Sequence, residues 1–396
     1  MQFTIQRLSL GAVCLIALMR ELSERVEAGP WQASPIRQRE EQIDPDSLLW
    51  QSALTLRTSG GWRDNSLLAG TNSQATPFAG WGLEFFLFRM PVDQHRFTLM
   101  FIGDDRRYVK RVELDTAGGV VNGETVMSTH ADYRGILSDN WSWNLLGQHL
   151  YADQVFDAST LEDGNGGMRA TVHGFTASPS IRWNPIGGFR IDLGYQWQRQ
   201  NFEQPLDGFW AMGPKATVGL DYGSKGSVEV AIRQDDRAYD SRPAANLLGV
   251  PQLGTVAYFT QRHAELVFKN RWIDRPRIQS TLRLFYLGNG DQEVGFYDFD
   301  RFGIGISLKA DWKAWTMAWG CRWSEWSYER QFVSPAPEDL FKYRRREDLE
   351  FNVRLERRLG SHLTLFVEEL FETQRSNVEL ENFQSHTVQC GLEWEF

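Results

Sequence analysis

Long runs of apolar residues are almost absent from this sequence of 396 residues. A membrane-spanning helix needs about 20 consecutive apolar residues, and only residues 8–19 approach such a run. The mean hydropathy of the chain is −0.42. A bundle of transmembrane helices is therefore excluded.

Cysteine and histidine are also scarce. Of three cysteines, Cys14 lies near the N-terminus, and Cys321 and Cys390 are too far apart in sequence to indicate a disulfide framework or a metal site. We expect both to pack as small apolar groups. The seven histidines occur singly, without metal-ligand spacing. These absences predict no cofactor, no metal and no catalytic site, so we do not expect an enzyme.

Positive charge is not in excess either. The formal net charge is −9, and basic residues are scattered among acidic ones. A nucleic-acid-binding surface needs a basic patch to neutralise phosphates, so we expect no nucleic acid among the partners of this chain.

Aromatic residues, in contrast, are abundant: they make up 13% of the chain, which contains 16 tryptophans. A polar average combined with many aromatics is typical of transmembrane β-barrels, whose strands turn one face to lipid and the other to water. The alternation between Phe189 and Arg199 shows this pattern. Apolar side chains occupy the odd positions from Phe189 to Trp197, and polar or small residues occupy the even positions from Arg190 to Gln198. Period-two alternation of this kind predicts a strand.

The same alternation recurs in about 16 segments of roughly 10 to 14 residues, the length that a tilted strand needs to cross a bilayer. The predicted spans are 49–59, 78–90, 95–104, 124–137, 140–151, 170–183, 188–200, 211–223, 226–239, 257–273, 276–288, 299–312, 314–327, 346–358, 361–374 and 383–396. The fold class is thus all-β, a transmembrane antiparallel up-and-down β-barrel; a propeller or a soluble sandwich fits strands of this length and number less well.

The connections between these segments alternate in length, which is the outer-membrane pattern of short periplasmic turns and long outer loops. The predicted short turns lie at 91–94, 138–140, 185–187, 224–226, 274–276, around 313 and at 360–361. The predicted long loops are 60–77, 104–123, 152–169, 240–256 and 328–345. The charged loop 104–123 has two interpretations: a constriction folded into the barrel, or an extension of the hairpin outside it.

The N-terminus has the features of a signal peptide. Arg7 precedes the apolar run 8–19, and Val26-Glu27-Ala28 offers a small-residue cleavage site. We therefore divide the chain into a signal peptide (1–28), a periplasmic N-terminal segment (29–48) and a transmembrane barrel (49–396). A buried or amphipathic first helix is the alternative interpretation of residues 1–28.

The C-terminal sequence Gly391-Leu392-Glu393-Trp394-Glu395-Phe396 resembles the closing strand of bacterial outer-membrane β-barrels. The resemblance implies an integral outer-membrane protein, surrounded by outer-membrane lipid after export through the periplasm. It also implies that the barrel-assembly machinery reads Leu392, Trp394 and Phe396. A second motif, Gly61-Trp62-Arg63-Asp64-Asn65, is similar to the first-loop motif of surface lipoprotein assembly modifier barrels, or is simply a loop rich in turn formers.

The parity of each strand assigns polar residues to the lumen, because charges facing hydrocarbon are costly. The candidate lumen-lining residues are Arg57, Glu84, Arg96, Asp192, Lys215, Asp221, Glu229, Arg233, Glu265, Lys269, Arg271, Arg277, Arg283, Lys309, Asp311, Glu350, Arg354 and Glu356. Basic residues concentrate on strands between 257 and 312, and acidic residues on strands between 346 and 396. This separation predicts a transverse field that favours polar or zwitterionic solutes; the alternative is that the charges pair and fill the interior.

A barrel of this size is wide enough for an aqueous channel. The first functional hypothesis is a porin-like channel that passes small polar solutes. The second is the barrel component of an export or surface-assembly system for a polysaccharide, protein or lipoprotein, and the third is a structural barrel with a filled lumen. A homo-oligomer is compatible with each.

Overall fold

The computed structural model describes residues 50–396 except 67, 69–72, 90–94, 115–118, 158–166, 204–206, 224, 248, 275, 333–341 and 379–380. The predicted signal peptide and periplasmic segment lie outside the described residues. The described part of the chain forms sixteen strands. They are β1 (Trp50–Arg63), β2 (Thr76–Arg89), β3 (His95–Leu114), β4 (Gly119–Ser138), β5 (Trp141–Asp157), β6 (Gly167–Trp183), β7 (Phe189–Phe202), β8 (Phe209–Asp221), β9 (Gly226–Tyr239), β10 (Tyr258–Asp274), β11 (Arg277–Asp291), β12 (Phe299–Trp312), β13 (Trp315–Phe332), β14 (Tyr343–Arg358), β15 (Leu363–Ser376) and β16 (Phe383–Glu395).

These strands form one closed antiparallel barrel in which each strand pairs with the next and β16 pairs with β1. The closing register runs from Thr55 opposite Glu395 to Arg63 opposite Thr387. Closure gives every strand two hydrogen-bonded neighbours, so no edge is left to pair with another chain. The prediction of about 16 strands in an up-and-down barrel is confirmed.

No helix among the described residues is long and apolar enough to cross a membrane.

The two ends of the barrel differ in their connections. One end, called here the short-turn end, has short connections such as 139–140, 184–188 and 313–314. Gly188 shows how tight these turns are: its φ is +80°, and a Cβ there would lie 2.3 Å from the carbonyl oxygen of Asp221. Only glycine fits such a position. The other end, the long-loop end, carries the connection 240–257 and the other connections that follow odd-numbered strands.

The outer surface carries the apolar half of the alternation. Large apolar side chains on this face are exposed, among them Trp81, Trp183, Leu193, Trp197 and Trp394. An apolar belt around a closed barrel is stable only when lipid covers it. Cys321 and Cys390 lie on the same outer face as free thiols, on β13 and β16.

Several strands extend further than the sequence predicted. The predicted loop 104–123 is mostly hairpin, because β3 continues to Leu114 and β4 begins at Gly119. The predicted boundaries of this loop were therefore wrong, and of its two interpretations the extended hairpin is the one observed. The physical reason is that backbone pairing continues beyond the predicted strand segments. In this extension Val112 pairs with Val121, and both are buried in one apolar cluster with Phe78, Tyr108 and Val155.

Candidate functional site: the barrel lumen

The inner face of the barrel carries the polar half of the alternation. Strand register places every predicted lumen residue on this face. Arg57, for example, lies opposite Gly82 on β2 and Glu393 on β16, while its chain neighbours Leu56 and Thr58 are exposed on the outside. Outward-facing apolar side chains and inward-facing charges separate cleanly because one residue step along a strand reverses the face. The fold is a closed antiparallel barrel of sixteen strands with an apolar outer face and a polar inner face.

A cluster of four charged residues, called here the Arg354 cluster, joins three strands of the inner wall. Arg354 on β14 donates from Nε to Glu356 (2.6 Å), from Nη1 to Glu368 on β15 (3.1 Å) and from Nη2 to Glu393 on β16 (2.5 Å). Its side chain is only 8% exposed. Gln389 donates a further hydrogen bond to Glu368 (3.0 Å). The planar guanidinium thus satisfies three carboxylates in fixed directions, which an ammonium could not do.

Arg57 extends this network across the barrel seam. Its guanidinium pairs with Asp104 on β3 and lies 3.9 Å from a carboxylate oxygen of Glu393. Gly82 lies beneath it: a Cβ at that position would come within 2.9 Å of the Arg57 Nε and Nη2 atoms. The glycine therefore leaves the space that the guanidinium occupies, and Glu84 adds a further carboxylate two residues along the same strand.

The wall formed by β9 to β12 is held by different pairs. Asp235 lies 2.7 Å from the Arg233 Nε and 3.3 Å from the His263 Nε2. Arg283 pairs with Glu265 at 2.7 Å. His263 and Glu265, two residues apart on β10, therefore have separate partners.

The two walls differ in net charge. The inward residues of β8 to β12 are predominantly basic: Lys215, Asp221, Glu229, Arg233, Asp235, Arg237, Glu265, Lys269, Arg271, Arg277, Arg283, Arg301, Lys309 and Asp311. Those of β15, β16 and β2 are acidic, although the intervening β1 contributes Arg57 and Arg63: Glu84, Glu368, Glu372, Glu393 and Glu395. Many of these charges are paired. Among the described residues, however, the side chains of Lys269, Lys309 and Glu395 take part in no ion pair. The sequence hypotheses of a transverse field and of paired charges thus each describe part of the wall.

Aromatic side chains replace charges at the long-loop end. Phe209, Tyr239 and Phe259 occupy inward positions at the ends of β8, β9 and β10, and all are buried. They form one cluster with Ala245 and Ala257, two alanines of the connection 240–257, which we call the β9–β10 loop. The loop therefore lies against the inner wall rather than away from the barrel.

Arg242 anchors this loop. Its guanidinium carbon lies 4.5 Å from the ring centre of Tyr297, 5.0 Å from that of Tyr239 and 5.9 Å from that of Phe259. The backbone N–H groups of Ser241 and Arg242 donate to the Asp207 carboxylate. Burial by itself lowers the pKa of Arg242. The hydroxyls of Tyr239 and Tyr297 raise the pKa by more than burial lowers it, so it lies above its ordinary value. The anchor is a permanent cation held by three aromatic faces.

A chain of hydrogen bonds supports the same region. Arg237 donates to the Gln261 side chain (2.8 Å), Gln261 donates to Asn289 (2.8 Å), and Asn289 donates to the carbonyl of Tyr297 (2.9 Å). The chain of hydrogen bonds runs from β9 through β10 to β11, and then to the loop that follows β11. This polar chain helps to fix the rings that receive Arg242.

The motif between Gly61 and Asn65 closes the barrel seam. The Asp64 carboxylate accepts a hydrogen bond from the backbone N–H of His386 (2.6 Å), and the Asn65 amide donates to the carbonyl of Gln384 (3.0 Å). Arg63 is buried between Glu124 and Glu372, each at 3.5 Å. These contacts extend the pairing of β1 with β16 beyond the last ladder position, which gives the motif a structural role here.

The short-turn end contains an open, charged cavity of about 590 Å³. It extends from the turn between β10 and β11 to the end of β16. Its charged lining residues are Asp274, Arg277, Lys309, Asp311, Lys313, Glu356, Arg358, Glu393 and Glu395. Thr316 and Thr364 supply hydroxyls between the charged groups.

Comparison with known proteins gives no sequence relative. No family model matches the chain, and no curated protein matches it. Among solved structures, it is similar to OpdQ of Pseudomonas aeruginosa (8% identity, 88% of this chain and 98% of that chain covered, TM-score 0.44). It is also similar to OccAB3 of Acinetobacter baumannii (10% identity, 88% of this chain and 99% of that chain covered, TM-score 0.43). A third similar structure is OmpT of Vibrio cholerae (9% identity, 88% of this chain and 97% of that chain covered, TM-score 0.43).

The docked β9–β10 loop was missed by the sequence analysis, which considered only loop 104–123 for a constriction. A signal was present in the strand pattern. Phe209, Tyr239 and Phe259 are large aromatics at positions whose parity assigns them to the polar inner face. Several strands place a large aromatic side chain on the polar inner face at the same end of the barrel. Such a group of rings indicates that another apolar segment covers them.

Proposed function

We propose that this barrel is a porin-like channel for small polar solutes. The observation that carries the proposal is the cavity of about 590 Å³ at the short-turn end, lined by charges of both signs. A filled structural barrel would bury such groups in mutual pairs, because unpaired charges out of water are costly. Lys309 and Glu395 take part in no ion pair with the described residues, which supports a water-filled interior.

A second function is favoured by the other end of the barrel. The β9–β10 loop lies on a buried aromatic cluster of the inner wall, and a neighbouring cluster contains Trp326, Tyr328, Phe299 and Leu287. Side chains that narrow the mouth favour a barrel that opens only with a partner. The corresponding function is the barrel component of an export or surface-assembly system.

Single-channel conductance of the refolded protein in a planar bilayer tests the first proposal. We expect stable steps of defined size. A second protein, in which residues 243–256 are replaced by a short Gly-Ser linker, serves as the comparison because Arg242 and Ala257 remain as attachment points.

The two proteins together separate the functions. Steps from both proteins, larger for the loop replacement, support a channel that the loop narrows. A silent native barrel with a conducting loop replacement favours the partner-dependent function. If both proteins fold and insert but remain silent, the channel proposal is wrong.

A further inference from the structure

The outward face of β15 carries a charged residue inside an apolar row. Val367 and Phe371 face outward along this strand, and Glu369 occupies the outward position between them. Opposite Glu369 lie Val353 on β14 and Val388 on β16. The Glu369 side chain is 54% exposed, so a carboxylate faces the lipid with an apolar side chain on each of its four sides.

A carboxylate in this position is costly, because hydrocarbon solvates charge poorly. Arg89 and Arg357 also face outward, but each lies within two residues of a strand end. Their guanidinium groups lie over Trp50 (5.9 Å from the ring centre) and Trp315 (5.2 Å), at the edge of the apolar belt, where long side chains reach water. Glu369 lies six residues from the start of β15 and seven from its end, so its short side chain does not reach a strand end.

The described part of its own chain does not satisfy the Glu369 carboxylate. The partner that comes closest is His386 on β16, whose Nδ1 lies 3.9 Å from the Glu369 Oε1. This distance is too long for a hydrogen bond. The amide nitrogen of Gln384, a donor, lies 3.1 Å from the His386 Nε2. Nε2 therefore accepts, and Nδ1 is the ring nitrogen that carries a proton toward Glu369.

Small residues lie on one side of Glu369. Cys390, Gly60 and Ala79 occupy one register row across β16, β1 and β2, and all three are exposed on the outer face. A Cβ at Gly60 would meet nothing closer than 3.9 Å. The surface there is shallow, so another protein surface can approach the backbone closely.

A bulky side chain lies on the other side of Glu369 at a similar depth. The register row that starts at Trp315, the first residue of β13, reaches Thr58, eight residues after the start of β1. Rows therefore rise toward the long-loop end from β13 to β1, as the tilt of barrel strands requires. With this slope, Phe351 on β14 and Cys390 on β16 lie at about the depth of Glu369, one on each side.

We infer that this face binds a second copy of the chain across a two-fold axis that runs along the membrane normal beside Glu369. The axis lays the β14 side of each copy on the β16 side of the other, so that Phe351 packs onto the shallow surface at Gly60. Each Glu369 carboxylate then lies beside the Nδ1–H of the partner's His386. The acceptor, the donor, the bulky group and the shallow surface are all on one face at similar depth, which a two-fold contact between identical copies requires. The contact does not depend on what the barrel conducts.

Sedimentation equilibrium of the folded barrel in density-matched micelles tests the inference. The protein-to-detergent ratio is varied so that the dissociation constant of the dimer is measured. At high ratio we expect the native protein to sediment as a dimer. Glu369→Leu should raise the dissociation constant at least about tenfold, because the dimer loses two symmetric charge-assisted contacts.

Two tryptophan substitutions locate the contact. Gly60→Trp fills the shallow surface while Glu369 is kept, and should also weaken the dimer at least about tenfold, because the two faces no longer fit. Gly147→Trp is the matched control. Gly147 faces outward on β5, where a Cβ would likewise meet nothing closer than 3.9 Å, and this variant should form a dimer as strong as the native one.

Urea unfolding at a low protein-to-detergent ratio, at which the barrels are monomers, separates an interface from a role within one barrel. Glu369→Leu places an apolar side chain on the lipid face, so this variant should be at least as stable as the native barrel. A destabilised Glu369→Leu barrel would mean that Glu369 acts through its own His386, and would overturn the inference. A native protein that stays monomeric at every ratio, a Glu369→Leu dimer of native strength, or a Gly147→Trp dimer as weak as that of Gly60→Trp would overturn it too.

Discussion

The two ends of the lumen are built from different chemistry. At the long-loop end, Arg242 lies among three aromatic rings, and buried aromatics cover the inner wall. Toward the short-turn end, Arg354 lies among three carboxylates, and an open cavity begins beside two of them. Both ends use a buried guanidinium as the central group. Its partners are neutral rings in one case and anions in the other.

This difference determines where water can stay. Aromatic faces attract a cation without needing solvation of their own, so the Arg242 anchor at the long-loop end is buried. Carboxylates retain lone pairs that favour water, so the charged end remains hydrated and accessible to polar solutes. A single barrel can therefore narrow at one end and bind solutes at the other.

Removal of the guanidinium from the charged end should have the largest effect. Arg354→Met leaves Glu356, Glu368 and Glu393 without their shared cation, and Glu368 is nearly as buried as Arg354. We expect the free energy of unfolding, measured by urea titration in micelles, to fall by about 3–5 kcal/mol. Arg354→Lys keeps the charge but loses the planar arrangement of donors. Its free energy of unfolding should therefore lie between those of the native protein and Arg354→Met. An unchanged unfolding free energy would contradict the role of the cluster.

Removal of the guanidinium from the aromatic end should have a smaller effect on stability and a clear effect on conductance. Arg242→Ala loses its contacts with three rings and should cost about 2 kcal/mol. The β9–β10 loop is then less firmly held, so we expect larger or noisier single-channel steps. Arg242→Lys, which retains a cation, is the matched control. If the loop becomes mobile and the single-channel conductance stays the same, the β9–β10 loop does not narrow the channel.

Neutralisation of the basic wall should change selectivity without affecting the fold. Lys269, Arg271 and Arg283 lie on β10 and β11; Arg283 pairs with Glu265 at 2.7 Å, and Arg271 lies 3.8 Å from the exposed carboxylate of Asp274. Replacement of all three by glutamine leaves Glu265 and the acidic wall in excess. We expect the reversal potential in a salt gradient to shift toward cation selectivity. No shift would show that the transverse separation of charge does not act on permeating ions.

Much of this architecture was predictable from the sequence. The alternation between Phe189 and Arg199 predicts a strand with one apolar face, and β7 has that form. Strand number and turn positions followed because the period of two and the turn residues are local features. The same locality explains the errors in the loops. The continuation of β3 to Leu114 depends on pairing with β4, which no single segment encodes.

The partners of each charge were not predictable. Parity places Arg354 and Arg190 on the inner face alike, but partners across strands depend on register. Glu393 and Arg354 are 39 residues apart in sequence and become neighbours only because β15 lies between them in a fixed register. The docking of the β9–β10 loop depends in the same way on rings contributed by several strands.

The smallest expected effect concerns Arg190, which has the same chemistry as Arg354 in a wetter setting. Its guanidinium contacts Asp221 (2.9 Å) and Glu229 (2.5 Å), whose side chains are 51% and 38% exposed. Water already solvates these carboxylates, so their loss of a cation is largely compensated. We expect Arg190→Gln to lower the unfolding free energy by less than about 1 kcal/mol, and by still less in high salt. If Arg190→Gln were as costly as Arg354→Met, burial would not be what distinguishes the two sites, and the hydrated character assigned to this end of the lumen would be wrong.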